Sequence, residues 1–355
     1  MVTATDDGPE VAARTPARGG GRPTLAAVAQ RAGVSLKTAS RALNGEPNVA
    51  PATRERVQEA ARELGFRLNA VAADLARGGA SHLVGFITGD LANPFYSAVA
   101  SGIECELRRH RRQLIIASSG EDPECERALT AELVGRRVGA LIVTPVGQDH
   151  EDLAREVEAG LPVVLIDRPA PGLDADMVVM DNRGGVRAAA EHLIARGHQR
   201  IGLVGDESHL WTFKERRDEF IGALARGGIA DAERYVRAGA HDAALARQFV
   251  GELLAADPAP TALLTANNVI TVGALHALRD RAAATPGLRV ALIGFDDFEL
   301  ADLLGVTVVG YDAQELGRQA AVLAVTRLQD PSLPTRTVVV PTRLVARGTG
   351  ELHAG

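Results

Sequence analysis

From His82 onward the chain alternates short apolar runs with longer amphipathic stretches, and this alternation restricts the possible folds more than any other feature. LVGFI, QLIIAS, ALIVTP, PVVLID and MVVMD come first, followed by RIGLVGD, YVRAGA, ALLTAN, VALIGFD and VTVVGYD in a second set of the same size. Uninterrupted apolar runs mark strands covered on both faces, and strands separated by helices assemble as parallel βαβ units. An α/β body of two doubly wound parallel-sheet lobes is expected, with a ligand cleft at the strand ends.

At 355 residues the chain is too long for one ordinary core and fits a small domain plus this larger body. Apolar residues make up 46% and charged residues 24%, the balance of a soluble globular protein. No apolar run approaches the roughly 20 residues that cross a bilayer, so no membrane partner is expected. Residues 1–21 mix Asp6, Asp7, Pro9, Pro16 and Gly19 to Gly21 without an apolar centre. They read as a disordered tail and not as a signal peptide, which gives a cytoplasmic location. Cys105 and Cys125 have no Cys or His at metal-ligand spacing, so two free thiols, no metal and no cofactor are expected. Net charge is −6, yet Arg22 to Arg77 carries nine basic residues against five acidic ones, which marks where a polyanion would dock.

That basic segment has its own helical pattern. Thr24 can cap a helix whose apolar positions Leu25, Val28, Ala29 and Ala32 share one face, and Gly33 stops it. Ser35 then caps a second helix that buries Ala39, Ala42 and Leu43 and leaves Leu36, Lys37, Ser40 and Arg41 outside. A third helix from about Pro51 to Leu64 closes a small core with Val57, Ala61 and Leu64. Two short helices around a glycine turn, the second with a basic outer face, form a helix-turn-helix.

The string TLAAVAQRAGVSLKTASRALNGEPNVAPATRERVQEAARELGF, residues 24 to 66, resembles the DNA-binding domain of the lactose-repressor (LacI/GalR) family, through Ala32-Gly33-Val34-Ser35, Thr38, Ser40-Arg41, Leu43-Asn44, Val49 and Thr53-Arg54. The resemblance implies that Leu36, Lys37 and Arg41 read bases. Lys37 and Arg41 suit guanine O6 and N7, and Leu36 suits a thymine methyl. Arg22, Thr38, Ser40, Asn44 and Arg54 are expected at phosphates, with Thr24 and Asn69 also facing DNA; Arg41 can also serve as a phosphate contact. The domain is bounded at 22–67. Residues 68–80 resemble the family's hinge helix and linker, in which Leu75 takes the place of a leucine wedged into the minor groove. Leu68, Ala73 and Asp74 depart from the family pattern there, and the carboxylate of Asp74 would weaken contacts to phosphate.

The resemblance continues over the body, 81–350, through Asn93-Pro94-Phe95, Asp167-Arg168, Asp181-Asn182, Gly197-His198 and Gly294-Phe295-Asp296-Asp297. It implies a periplasmic-binding-protein-like body, with an N-lobe of about 81–180 and 312–330 and a C-lobe of about 183–310 and 331–350. The residues expected at the effector are Asn93, Phe95, Tyr96, Asp167, Arg168, Trp211, Arg216, Asn267, Asp296 and Tyr311, with His241-Asp242 as further cleft residues. Asp167, Arg168, Arg216, Asn267 and Asp296 would bond hydroxyls, while Phe95 and Tyr96 would pack on a ring face. Each also has a plainer reading: Asn93-Pro94 makes turns, Asp296-Asp297 caps a helix, Asp167 pairs with Arg168, and Trp211 covers its lobe.

These expectations describe a homodimeric repressor on a near-palindromic double-stranded DNA operator, controlled by a monosaccharide-like effector. A purine, a nucleoside or a phosphorylated sugar is the alternative effector, and a sugar receptor without regulatory role is the rival function. An enzyme is not expected, because G-x-G-x-x-G, P-loop, G-x-S-x-G and H-E-x-x-H signatures are missing from the sequence.

Overall fold

The computed structural model describes residues 23–66, 81–285, 287 and 289–354. The expected tail (1–21), Arg22 and the hinge segment 68–80 with Asn69 and Leu75 lie outside the described residues. The chain divides into two units on either side of residue 79.

The first unit holds α1 (Leu25–Ala32), α2 (Leu36–Leu43) and α3 (Pro51–Glu63). Thr24 Oγ1 accepts the Ala27 N–H at 3.2 Å to start α1. Gly33 ends it at φ 65°, a left-handed turn that costs glycine nothing sterically. Ser35 Oγ accepts the Thr38 N–H at 3.1 Å, so α2 begins almost at once. Val28, Ala39, Ala42, Val57 and Ala61 meet in the core, and Leu43 and Leu64 pack at its edge. The small alanines let three short helices approach closely enough to bury a shared face.

The second unit contains two six-stranded sheets. The first takes β1 (Leu83–Thr88), β2 (Gln113–Ser118), β3 (Ala140–Val143), β4 (Val163–Ile166), β5 (Asp176–Met180) and β11 (Thr337–Val340). Its spatial order is β11-β5-β4-β3-β1-β2, all parallel. The second takes β6 (Ile201–Val204), β7 (Val236–Arg237), β8 (Ala262–Thr265), β9 (Ala291–Phe295), β10 (Thr307–Gly310) and β12 (Arg343–Val345). Only β12 runs antiparallel there, against β10. Around the first sheet lie α4 (Pro94–Arg109), α5 (Pro123–Gly135), α6 (Glu151–Glu158) and α11 (Ala313–Gln329). The second is covered by α7 (Asn182–Ala195), α8 (Trp211–Arg226), α9 (Ala243–Ala255) and α10 (Asn268–Ala284).

Three crossings join the lobes. Two end on an aspartate that caps the next helix: Asp181 accepts the Gly184 N–H at 2.8 Å and Asp312 accepts the Glu315 N–H at 2.9 Å. At the third, Thr342 Oγ1 donates to the Asp181 carbonyl at 3.1 Å, tying the crossings together. One lobe boundary differs from the sequence reading, which gave 331–350 to the C-lobe. Strand β11 instead extends the N-lobe sheet, with Thr337 opposite Met177 and Val340 opposite Met180. The cause is Asp176, only 3% exposed, which receives Arg327 Nη2 at 2.9 Å and the Arg336 N–H at 2.9 Å and so pins the entry of β11 to β5.

Helices α4 and α11 both start at the cleft and cross on two glycines. A Cβ on Gly317 would stand 2.0 Å from the Val99 carbonyl oxygen, and one on Gly102 would stand 1.9 Å from that of Gln314. Backbone-to-backbone contact therefore fixes how the two helices present their N-termini to the cleft.

Candidate functional site

The strand ends of both sheets open on one cavity of about 330 Å³ within the second unit. Its walls begin with backbone. Asp167 follows β4 with φ 74° and Asp296 follows β9 with φ 69°. Each makes the same last sheet bond, Asp167 N–H to the Val178 carbonyl at 2.9 Å and Asp296 N–H to the Val309 carbonyl at 3.0 Å. The left-handed turn then swings the carboxylate into the cleft. Such backbone costs a non-glycine residue about 1–3 kcal/mol, and it recurs at the same strand-end position in both lobes. A third lining carboxylate, Glu121, is also left-handed, at φ 60°.

The arginines are held from inside the protein. Arg168 Nη2 donates to Glu121 Oε1 at 2.7 Å and to the Tyr96 hydroxyl at 3.1 Å. Arg216 reaches from α8 to Asn182 Oδ1 at 2.8 Å and to the Ala266 carbonyl, and its guanidinium lies 3.7 Å above the Phe295 ring. Both are nearly fully buried.

The amides and aromatics have defined partners too. Asn267 Oδ1 caps α10 at Ile270 while its Nδ2 donates to Asp206 Oδ2 at 3.1 Å. Asn93 Oδ1 caps α4 and accepts Asn268 Nδ2 at 3.0 Å, a hydrogen bond between the lobes. Tyr311 donates to Asp296 Oδ1 at 2.9 Å, and its ring meets that of Phe95 edge-on at 6.1 Å.

Burial dominates the electrostatics. It pushes the Asp167 carboxyl up to about 6 against the opposing pull of Arg168 and Arg216, and it raises Asp296 and Asp206. Tyr96 and Tyr311 are driven well above the usual phenol range and stay protonated donors, again by burial first. The site offers carboxylates, amides, a phenol and ring faces: the chemistry of holding a polar ligand, not of attacking one.

Asn93, Phe95, Tyr96, Asp167, Arg168, Arg216, Asn267, Asp296 and Tyr311 all line this cavity, as does His241. Trp211 does not. It lines a smaller neighbouring pocket with Pro169 and Lys214, while its chain neighbours Leu210 and Thr212 face the cavity. Asp242 is also absent from the lining and caps α9 by accepting the Leu245 N–H at 2.8 Å. Sequence reasoning missed Asp90, Glu121, Asp206, Glu207, His209 and Phe213. Asp206 was detectable, because it follows GLVGD's strand as Asp167 and Asp296 follow theirs. Glu121 carried no such signal, since its position depends on a left-handed turn before α5.

In the first unit, Leu36 (54% exposed), Lys37 and Arg41 form the outer face of α2, with Arg41 Nε 3.3 Å from Glu46. Thr38 and Ser40 are half-buried at its margin. Other expected DNA-facing residues have internal work: Thr24 caps α1, Asn44 Nδ2 donates to Ser40 Oγ at 3.3 Å, and the Arg54 guanidinium donates to the Ala42 and Glu46 carbonyls at the end of α2. Among the described residues no helix is long and apolar enough to cross a membrane, and no cluster of three or more His, Cys, Asp or Glu could hold a metal.

Residues 24–69 match the model of the bacterial regulatory proteins of the lacI family, and residues 190–349 match that of a periplasmic binding protein-like domain. The chain is 33% identical over 303 residues to the HTH-type transcriptional regulator GalS of Salmonella typhimurium, covering 85% of this chain and 88% of that protein. Among solved structures it is similar to the Lac repressor dimer bound to operator and the anti-inducer ONPF, with a TM-score of 0.80 and 27% identity over 93% of this chain and 99% of that one. It is also similar to the transcriptional regulator CelR in complex with cellobiose, with a TM-score of 0.68 and 30% identity over 93% of this chain and 100% of that one.

Proposed function

The chain belongs to the lacI family of bacterial regulatory proteins and is a DNA-binding transcription regulator, not an enzyme; from that premise we propose that it acts in the cytoplasm as a homodimeric repressor whose operator affinity is set by a sugar-like effector in the interlobe cavity. The observation that carries this reading is the pair of strained aspartates, Asp167 and Asp296, brought from separate lobes to one small cavity. A polyhydroxylated ring can donate to both at once, so its binding favours one relative placement of the lobes.

The cavity is at the small end of ligand pockets, which run from about 300 to 1,000 Å³, and suits a monosaccharide. A stacked purine finds less support: Trp211 is not in the cavity wall, and the Tyr96 hydroxyl is tied to Arg168 and Glu121. A phosphorylated sugar is disfavoured by six lining carboxylates, Asp90, Glu121, Asp167, Asp206, Glu207 and Asp296, against two already engaged guanidiniums.

On DNA, Leu36, Lys37 and Arg41 of α2 would meet base edges in the major groove, one half-site per protomer, with Thr38 and Ser40 at phosphates. Arg22, Asn69 and Leu75 remain expected contacts to the backbone and minor groove. Two measurements test the reading. Calorimetric titration of the full chain with neutral pentoses and hexoses should give one saturable site. Fluorescence anisotropy with an operator selected from random duplexes should then show affinity changed by that sugar and by no other in the panel. Silence from every sugar sinks the effector assignment, and failure to enrich any duplex sinks the regulator.

A further inference from the structure

The charge of this cavity exceeds what a neutral ring needs. Resting on the sugar reading above, we propose that the preferred effector carries an ammonium group, as an amino sugar does, and that this cation sits among Glu121 and Asp167 of the N-lobe and Asp206 of the C-lobe.

The side chain of Asp167 is about nine-tenths buried and lines the cavity, yet no hydrogen bond from a described residue reaches its oxygens. The nearest cation, Arg168 Nε, stands 3.5 Å away and makes no hydrogen bond of its own. Glu121 is half engaged: Oε1 takes Arg168 and Tyr96, while Oε2 is buried with no hydrogen-bond partner among the described residues. Among the described residues Asp206 accepts neutral donors only, Asn267 Nδ2 and the Glu207 N–H, and no Lys or Arg pairs with it. Glu121 raises the carboxyls of both Asp167 and Asp206 through its charge, which places it within electrostatic reach of each.

Two carboxylates approaching from opposite lobes repel one another and oppose closure. Hydroxyls can donate to them but cannot neutralise them. An ammonium does both, with three N–H donors, where Glu121 and Asp167 share the single guanidinium of Arg168 and Asp206 has no ion pair with a described residue, and where screening by salt is weak. Arg168 and Arg216 offset only part of this charge: two guanidiniums, one of them already paired with Glu121, face six lining carboxylates.

The test is calorimetry on the full chain at pH 7.5 with matched sets: glucose, galactose and mannose, their 2-amino and 6-amino forms, the N-acetylated amines, and the 6-phosphates. For the ring that fits, the free amine should bind at least tenfold more tightly than its neutral parent, acetylation should abolish the gain, and the phosphate should not bind. Glu121→Gln and Asp206→Asn should each lower the amine-to-neutral affinity ratio. A neutral parent that binds as well as its amine, or a gain that survives acetylation, overturns the ammonium while leaving the sugar reading intact. Silence across all sets overturns both. The acetylation comparison needs no variant, so a misfolded mutant leaves the test whole.

Discussion

Replacing Asp167 by Asn should make the effector-free protein more stable while weakening its hold on effector. The carboxyl moves from 3.8 to about 6 on folding, chiefly through burial. At roughly 1.4 kcal/mol per tenfold, the ionised group costs the native state about 3 kcal/mol near pH 7. The sign follows from proton uptake: between pH 4 and 6 the native state holds a proton that the unfolded chain has lost, so stability falls as pH rises through this window. Asparagine keeps the shape, tolerates φ 74° and carries no charge. D167N should therefore gain up to about 3 kcal/mol at pH 7, about half of that at pH 5 and little at pH 4. The assay is urea unfolding of the full chain, followed by far-UV circular dichroism at each pH. At neutral pH the same variant should lose at least tenfold in effector affinity, because a hydrogen bond to a charged acceptor is worth about 1.5–3 kcal/mol. Unfolding at equal or lower urea than wild type at pH 7 would refute the claim that this carboxylate is held at a cost for the ligand's sake.

Three other outcomes follow from the same structure. Lys37→Ala on the outer face of α2 should weaken specific operator binding by about 1–3 kcal/mol in anisotropy titrations, with the helical signal unchanged. Arg327→Leu leaves Asp176 without its ion pair and should destabilise the second unit by about 3–5 kcal/mol in chemical denaturation. Gly317→Ala forces the α4–α11 crossing apart at the Val99 carbonyl, and a loss of about 1–3 kcal/mol is expected in thermal melts.

Ten of the twelve strands and half of the cavity lining were legible in the sequence. Apolar runs bounded by turn residues specify strands because burial on both faces leaves no polar positions, and all ten anticipated runs became strands. Thr24, Ser35 and Gly33 act within a few residues of themselves, so the helix-turn-helix was legible from local chemistry. Asp167, Asp296 and Asn267 were found because doubly wound sheets present strand ends to ligand. Tertiary structure decided what depends on partners far along the chain. Strand β11 joined the N-lobe because Asp176, some 150 residues earlier, captures Arg327. Trp211 fell outside the cavity although its neighbours line it, because a helix sends successive side chains in different directions. Glu121 and Asp206 became one electrostatic feature only when two lobes, each formed by its own sheet, were brought together across the cleft. Local pattern sets which residues stand at strand ends; long-range contact sets which of them face each other, and so the charge a ligand meets.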